Sequence, residues 1–143
     1  MRRLVVAAAA LTVAAVGVQT AWAVRTPAQV VRAWSRALNA NDNERAARLF
    51  ARGARVIQPG VDVALDSHAL AVAFNASLPC AGRIVAIRIR GHRVTATFVL
   101  GERPKHRCDG PGQQAAAVFT VARGKIVRWQ QIPVPPPADQ ATA

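Results

Sequence analysis

The side chains that could do chemistry are few, and their spacing limits what they can do. His68, His92 and His106 fall at a helix start, a turn and a loop. They lack the paired spacing by which one element presents two ligands to a metal, so neither a metal site nor a cofactor is expected. Asp62, Asp66 and Asp109 lie at turns or a helix start, where a carboxylate caps backbone N–H groups. Ser67 has no nucleophile elbow around it, and no glycine-rich phosphate loop precedes a helix. Cys80 and Cys108 are the only cysteines, and two cysteines without metal spacing pair with each other in an exported chain. Closing that loop is worth about 3.5 kcal/mol on chain-entropy grounds. Two residues remain. Gln58 puts a polar amide on an otherwise apolar strand face, where it must find hydrogen-bond partners. Trp34 sits in the middle of an apolar helical stripe, the usual place of a core residue.

The elements that must position these residues begin at Thr26. Thr26 caps a helix whose first residue is Pro27, and Gln29 stands at the capping-box spacing. Pro27, Val30, Val31, Trp34 and Leu38 then recur at offsets of three and four as one apolar face. Asn41 or Asp42 caps a second helix with Glu44 in its first turn, Ala47, Leu49 and Phe50 as its apolar set and Gly53 as its stop. Arg55 to Gln58 alternates as a strand, and Val61, Val63 and Leu65 form another. Asp66 or Ser67 caps a third helix whose spine is Leu70, Phe74 and Leu78. Val85, Ile87 and Ile89 face one way, with Arg83 in the same parity, while Arg88 and Arg90 face the other. Gly91 and His92 make the turn into a returning arm, Val94, Ala96, Phe98 and Leu100. In that register Cys80 falls opposite about residue 103, within reach of Cys108. Gln113 to Val121 and Lys125 to Ile132 are two further strands around the Arg123-Gly124 turn, and they carry Ala117 and Trp129.

The first 23 residues stand apart. Arg2 and Arg3 precede an uncharged, mostly apolar run from Leu4 to Val18, and Ala21-Trp22-Ala23 fits small-x-small cleavage. A signal peptide over residues 1–23, a mature start at Val24 and a secreted protein with no membrane segment after cleavage are expected. Residues 24–132 are one domain, and the proline-rich stretch 133–143 lacks the apolar content to pack and is expected to be disordered. Removing Arg2 and Arg3 from the 19 basic residues leaves 17 against 7 acidic ones. Arg83, Arg88, Arg90, Arg93, Arg103, Lys105 and Arg107 cluster on the hairpin and its loop, where a solvated sheet face is the simplest reading. The charge favours polyanions through its long-range field. No aromatic residues interleave with the basic ones to stack bases, so no specific nucleic acid is expected.

The order helix, helix, two short strands, helix, four longer antiparallel strands resembles the nuclear transport factor 2-like superfamily, with its SnoaL-like polyketide cyclases and ketosteroid isomerases. The resemblance rests on Trp34-Ser35-Arg36-Ala37-Leu38-Asn39-Ala40-Asn41-Asp42 leading to Arg48-Leu49-Phe50, on Val56-Ile57-Gln58-Pro59, and on the closing hairpin through Val118-Phe119-Thr120-Val121 and Lys125-Ile126-Val127. It implies an α+β fold, three N-terminal helices on a curved, mostly antiparallel sheet that forms a cone around an internal cavity. Trp34, Gln58, Phe74, Phe98, Ala117 and Trp129 would line that cavity and hold a small hydrophobic ligand, and the fold leaves a homodimer open. The isomerases need a carboxylate base, and an oxyanion hole made of a tyrosine and a protonated acid. Gln58 stands in place of the base, Trp34 in place of the tyrosine and Ala117 in place of the acid. An amide is no base near neutral pH, so steroid-isomerase chemistry and catalytic residues of that kind are not expected. The remaining expectations are an enzyme of this fold on a small apolar substrate, and a basic surface that holds polyanions.

Overall fold

The structure, a computed structural model, describes residues 23–137. The expected leader lies outside the described residues except for Ala23, and so do positions 138–143 of the tail. Three helices pack on an open six-stranded mixed sheet. They are α1 (Pro27–Asn39), α2 (Asn43–Ala47) and α3 (His68–Ser77). The strands are β1 (Phe50–Gln58), β2 (Val61–Leu65), β3 (Ala81–Arg90), β4 (Arg93–Gly101), β5 (Gln114–Ala122) and β6 (Lys125–Ile132). The sheet order is β2-β1-β6-β5-β4-β3, and every pairing is antiparallel except that of β1 with β6.

The start of α1 follows its sequence. Thr26 Oγ1 accepts from Gln29 N, and Gln29 Oε1 accepts from Thr26 N at 2.8 Å, the reciprocal capping box. Val30, Val31, Trp34, Ala37 and Leu38 are buried against the sheet. The second helix is shorter than its apolar pattern suggests. It ends at Ala47, and Leu49 and Phe50 are buried at the start of the strand instead. Gly53 therefore stops no helix. It sits inside β1 with φ of +76°, where the register against β6 shifts between Phe50 and Arg55. Glycine takes this left-handed conformation without a Cβ clash, and the resulting bulge lets β1 bend.

A second bulge corrects the reading of β3. Ile84 pairs with Phe98 and Ala86 with Thr97, so Val85 is the extra residue. Ile84 and Ile87 both pack on the core, Val85 is exposed, and Arg83 joins Arg88 and Arg90 on the outer face. A strict two-residue period cannot express that slip. In α3, Phe74 is buried, but Leu70 is 49% exposed and Leu78 caps the helix rather than belonging to it. The core comprises Val30, Val31, Phe50, Val56, Val94, Phe119, Val121 and Ile126 with Trp34, Phe74, Phe98 and Trp129, joined largely edge-to-face.

Candidate functional site

A half-open cavity of about 260 Å³ lies between α1 and the inner face of the sheet. Its floor is aromatic because the inward registers of three strands and the centre of α1 meet there. Ala117 pairs with Ala96 on one side and with Gln131 on the other, and Phe119 pairs with Trp129. Alanine at 115 and 117 leaves the space that larger side chains would fill. Trp34, Gln58, Phe98, Ala117 and Trp129 all stand on the wall. Phe74 does not. Its ring packs 5.8 Å from Phe50 and 5.3 Å from Trp129 in the core behind the wall.

The donors of the wall are mostly committed. Trp34 Nε1 donates to Asn75 Oδ1 at 2.8 Å, and Asn75 Nδ2 donates to Ala71 O at 2.7 Å. Ser35 Oγ donates to Gly82 O at 3.0 Å. Asn39 grips the same glycine twice, accepting from Gly82 N and donating to Gly82 O. These bonds tie the end of α1 to the start of β3. Trp129 Nε1 is buried without a partner among the described residues. At the mouth, Gln58 Nε2 donates to Gln131 Oε1 at 3.2 Å. An amide has two donors and an acceptor with two lone pairs, so this single bond leaves both side chains capacity for a ligand.

Behind Trp34 lies a residue that the sequence disguises as surface. Arg103 is 2% exposed. Its Nη1 donates to the carbonyls of Asn75, at 2.8 Å, and of Leu78, while Nη2 donates to Asn43 Oδ1. Burial holds its pKa below the ordinary arginine value. Among the described residues no carboxylate pairs with it, and its charge is met by carbonyls at the C-terminal end of α3, the negative end of the helix dipole.

The rim is made by Cys80 and Cys108, which form a disulfide with Cα atoms 4.5 Å apart. Asp109 completes it. Asp109 Oδ1 approaches Cys80 Sγ to 3.3 Å, a contact without a proton because a disulfide sulfur carries none. Cys80, Cys108 and Asp109 form the one group of metal-ligating types among the described residues, and its sulfurs are bonded to each other. Asp109 is the one carboxylate on the cavity wall among the described residues. Its position at a turn gave no sign of that, since contacts with residues distant in sequence, the disulfide among them, bring the loop to the mouth.

No family model matches the sequence, and no curated protein matches it. Solved structures do match by shape. An NTF2-like protein of unknown function from Cytophaga hutchinsonii superposes with a TM-score of 0.62 at 12% identity, over 75% of this chain and 88% of that one. A protein named as a polyketide cyclase from Sinorhizobium meliloti gives 0.59 at 19%, over 72% and 93%. A protein with a ketosteroid isomerase-like fold from Catenulispora acidiphila, solved in complex with trimethylamine, gives 0.61 at 18%, over 76% and 86%. The shared property at these identities is the fold, the α+β cone of NTF2-like, ketosteroid isomerase-like and SnoaL-like proteins.

Proposed function

We propose that this nuclear transport factor 2-like cone binds a small molecule with an apolar body and one polar end, without steroid-isomerase chemistry. The observation that carries this reading is the wall itself, with aromatic rings and alanines inside and the Gln58–Gln131 amide pair at the mouth. A volume of about 260 Å³ lies below the roughly 300–1,000 Å³ of drug-sized sites, which suits a ligand of one or two rings. The amides would take the polar end, and burial of the body against Trp34, Phe98 and Trp129 would supply the affinity.

The isomerase route is closed by more than residue identity. Its oxyanion hole needs donors free to meet a developing charge. The indole N–H of Trp34 is already bonded to Asn75, Ala117 offers no side-chain donor, and Gln58 cannot take a proton. Asp109 favours a second reading, an enzyme of this fold in which a rim carboxylate moves a proton on a bound apolar substrate. The polyketide cyclase name of one structural neighbour is compatible with that chemistry.

Calorimetric titration with 2-naphthol tests the first reading. Binding is expected in the parent protein and should be lost in Ala117→Phe, whose ring would fill the space next to Trp129. Equal affinity in a folded Ala117→Phe variant would remove the cavity as the site. Asp109→Asn separates the two readings, since it leaves naphthol binding intact and abolishes only turnover.

A further inference from the structure

The face of the sheet turned away from the cavity carries a different signal. In the observed register Arg90 pairs with Arg93, Arg93 with Thr120, Thr120 with Arg128, and Arg128 with Arg55. Paired residues project to the same face, so this is one row running across five strands. At about 4.8 Å per strand, four steps make it roughly 19 Å long. The bulge at Val85 adds Arg83 and Arg88 to the same face, with Arg88 opposite Thr95. Six arginines thus share one surface. Asp62, opposite Ile57, is the one acid of that face among the described residues, and it is already bonded to Arg55, 2.7 Å away. The other ion pair among the described residues, His68 with Glu44, involves none of these arginines. Arg88, Arg90 and Arg93 also line a recess of about 410 Å³ with Thr95, Ile132 and Pro135, and Arg88 Nη2 donates to Pro136 O at 2.9 Å.

We infer that this outer face docks an acidic polysaccharide, a linear polymer bearing carboxylate or sulfate groups. Guanidinium forks meet such oxyanions in pairs of hydrogen bonds. The threonines and Gln130 between them offer partners for sugar hydroxyls. A single-stranded nucleic acid needs exposed rings on which to stack its bases. The described phenylalanines and tryptophans, Trp34, Phe50, Phe74, Phe98, Phe119 and Trp129, are all core residues. The row also lies on strands, and among the described residues no helix projects from it to enter a duplex groove.

The test measures binding of the purified protein to alginate, with dextran, a DNA duplex, a single-stranded oligonucleotide and phosphatidylglycerol vesicles as further arms. Alginate should bind best among them, with affinity falling steeply as salt rises, and neutral dextran should not bind. Replacing Arg88, Arg90 and Arg93 by Gln should weaken alginate binding more than about tenfold and reduce the log–log salt slope by about three. Replacing the exposed Arg32, Arg36 and Arg45 on the helices by Gln removes equal charge elsewhere and should cost less than about threefold. Thr120→Glu, one substitution in mid-row, should weaken binding similarly and guards against a misfolded triple variant. Equal losses from both triple variants would reduce the effect to net charge and overturn the assignment. Tighter binding to either nucleic acid or to vesicles would overturn it as well. Naphthol binding on the opposite face should be unchanged in every variant, so this inference stands or fails apart from the cavity.

Discussion

Arg103 sets the terms at the scale of single residues. A buried guanidinium held at its two Nη atoms by two carbonyls and an amide oxygen, with Nε buried and unpartnered among the described residues, is stable only while those three partners hold it. Arg103→Met would keep the bulk but orphan those acceptors, and a loss of about 2–4 kcal/mol is expected in urea or thermal unfolding. Arg103→Lys should recover part of that loss, because one ammonium cannot span all three acceptors. Gln58 gives a contrasting case, half-buried at the mouth. Gln58→Asp would place a carboxylate beside apolar wall and remove the bond to Gln131. Desolvation raises the folded-state pKa of that new carboxylate, so the ionised form is penalised on folding. The deficit of about 1 kcal/mol should be full above the folded-state value and should fade toward the unfolded value near about 3.9. Melting at pH 7 and pH 3.5 checks the sign, and equal deficits at both would place residue 58 in water. Gln58, Trp34 and Ala117 could be placed on the wall from sequence because the resemblance to the cone fold assigns their positions to the cavity. Arg103 and Asp109 could not, because a loop of glycine, proline and charge has no period. Only the partner it folds onto decides what is buried.

Among elements, β3 shows what tight packing requires. A Cβ on Gly82 would lie 3.0 Å from a ring carbon of Phe98 and 3.2 Å from Phe98 Cβ. Neither side has room to yield, since Phe98 is core and Asn39 holds the Gly82 backbone by both N and O. Gly82→Ala should cost about 1–3 kcal/mol and narrow the cavity, readable as a lower melting temperature together with weaker naphthol binding. An unchanged melt would mean that the α1–β3 contact is looser than its bonds imply. Elements with a local signature were legible: the Thr26 capping box, the two-residue Arg123-Gly124 turn with both residues at positive φ, and the full span of β6. The bulges in β1 and β3 were not. Each leaves residues without a counterpart on the neighbouring strand, several in β1 and one in β3, so the inward face of β3 passes from Ile84 to Ile87 with no local sign of the break.

For the whole molecule, the disulfide joins the rim of the cavity to the loop that carries Arg103, so redox state reaches both. Reduction should remove about 3.5 kcal/mol on the chain-entropy estimate and lower the melting temperature. Naphthol affinity should fall with it, and an unchanged melt in reductant would show that the loop is held by Arg103 alone. The order of the six strands also carries a consequence in time. The sole parallel pair, β1 with β6, joins the β1–β2 hairpin to the β3–β6 meander through strands that lie far apart in sequence. Until Lys125 to Ile132 is in place, β1 and β5 each present an unpaired edge, and such edges recruit other chains. Closing that central seam spans most of the domain, so it is expected to be the slow step of folding and the interval most exposed to aggregation. A growing chain would therefore stay open to premature association until β6 is available.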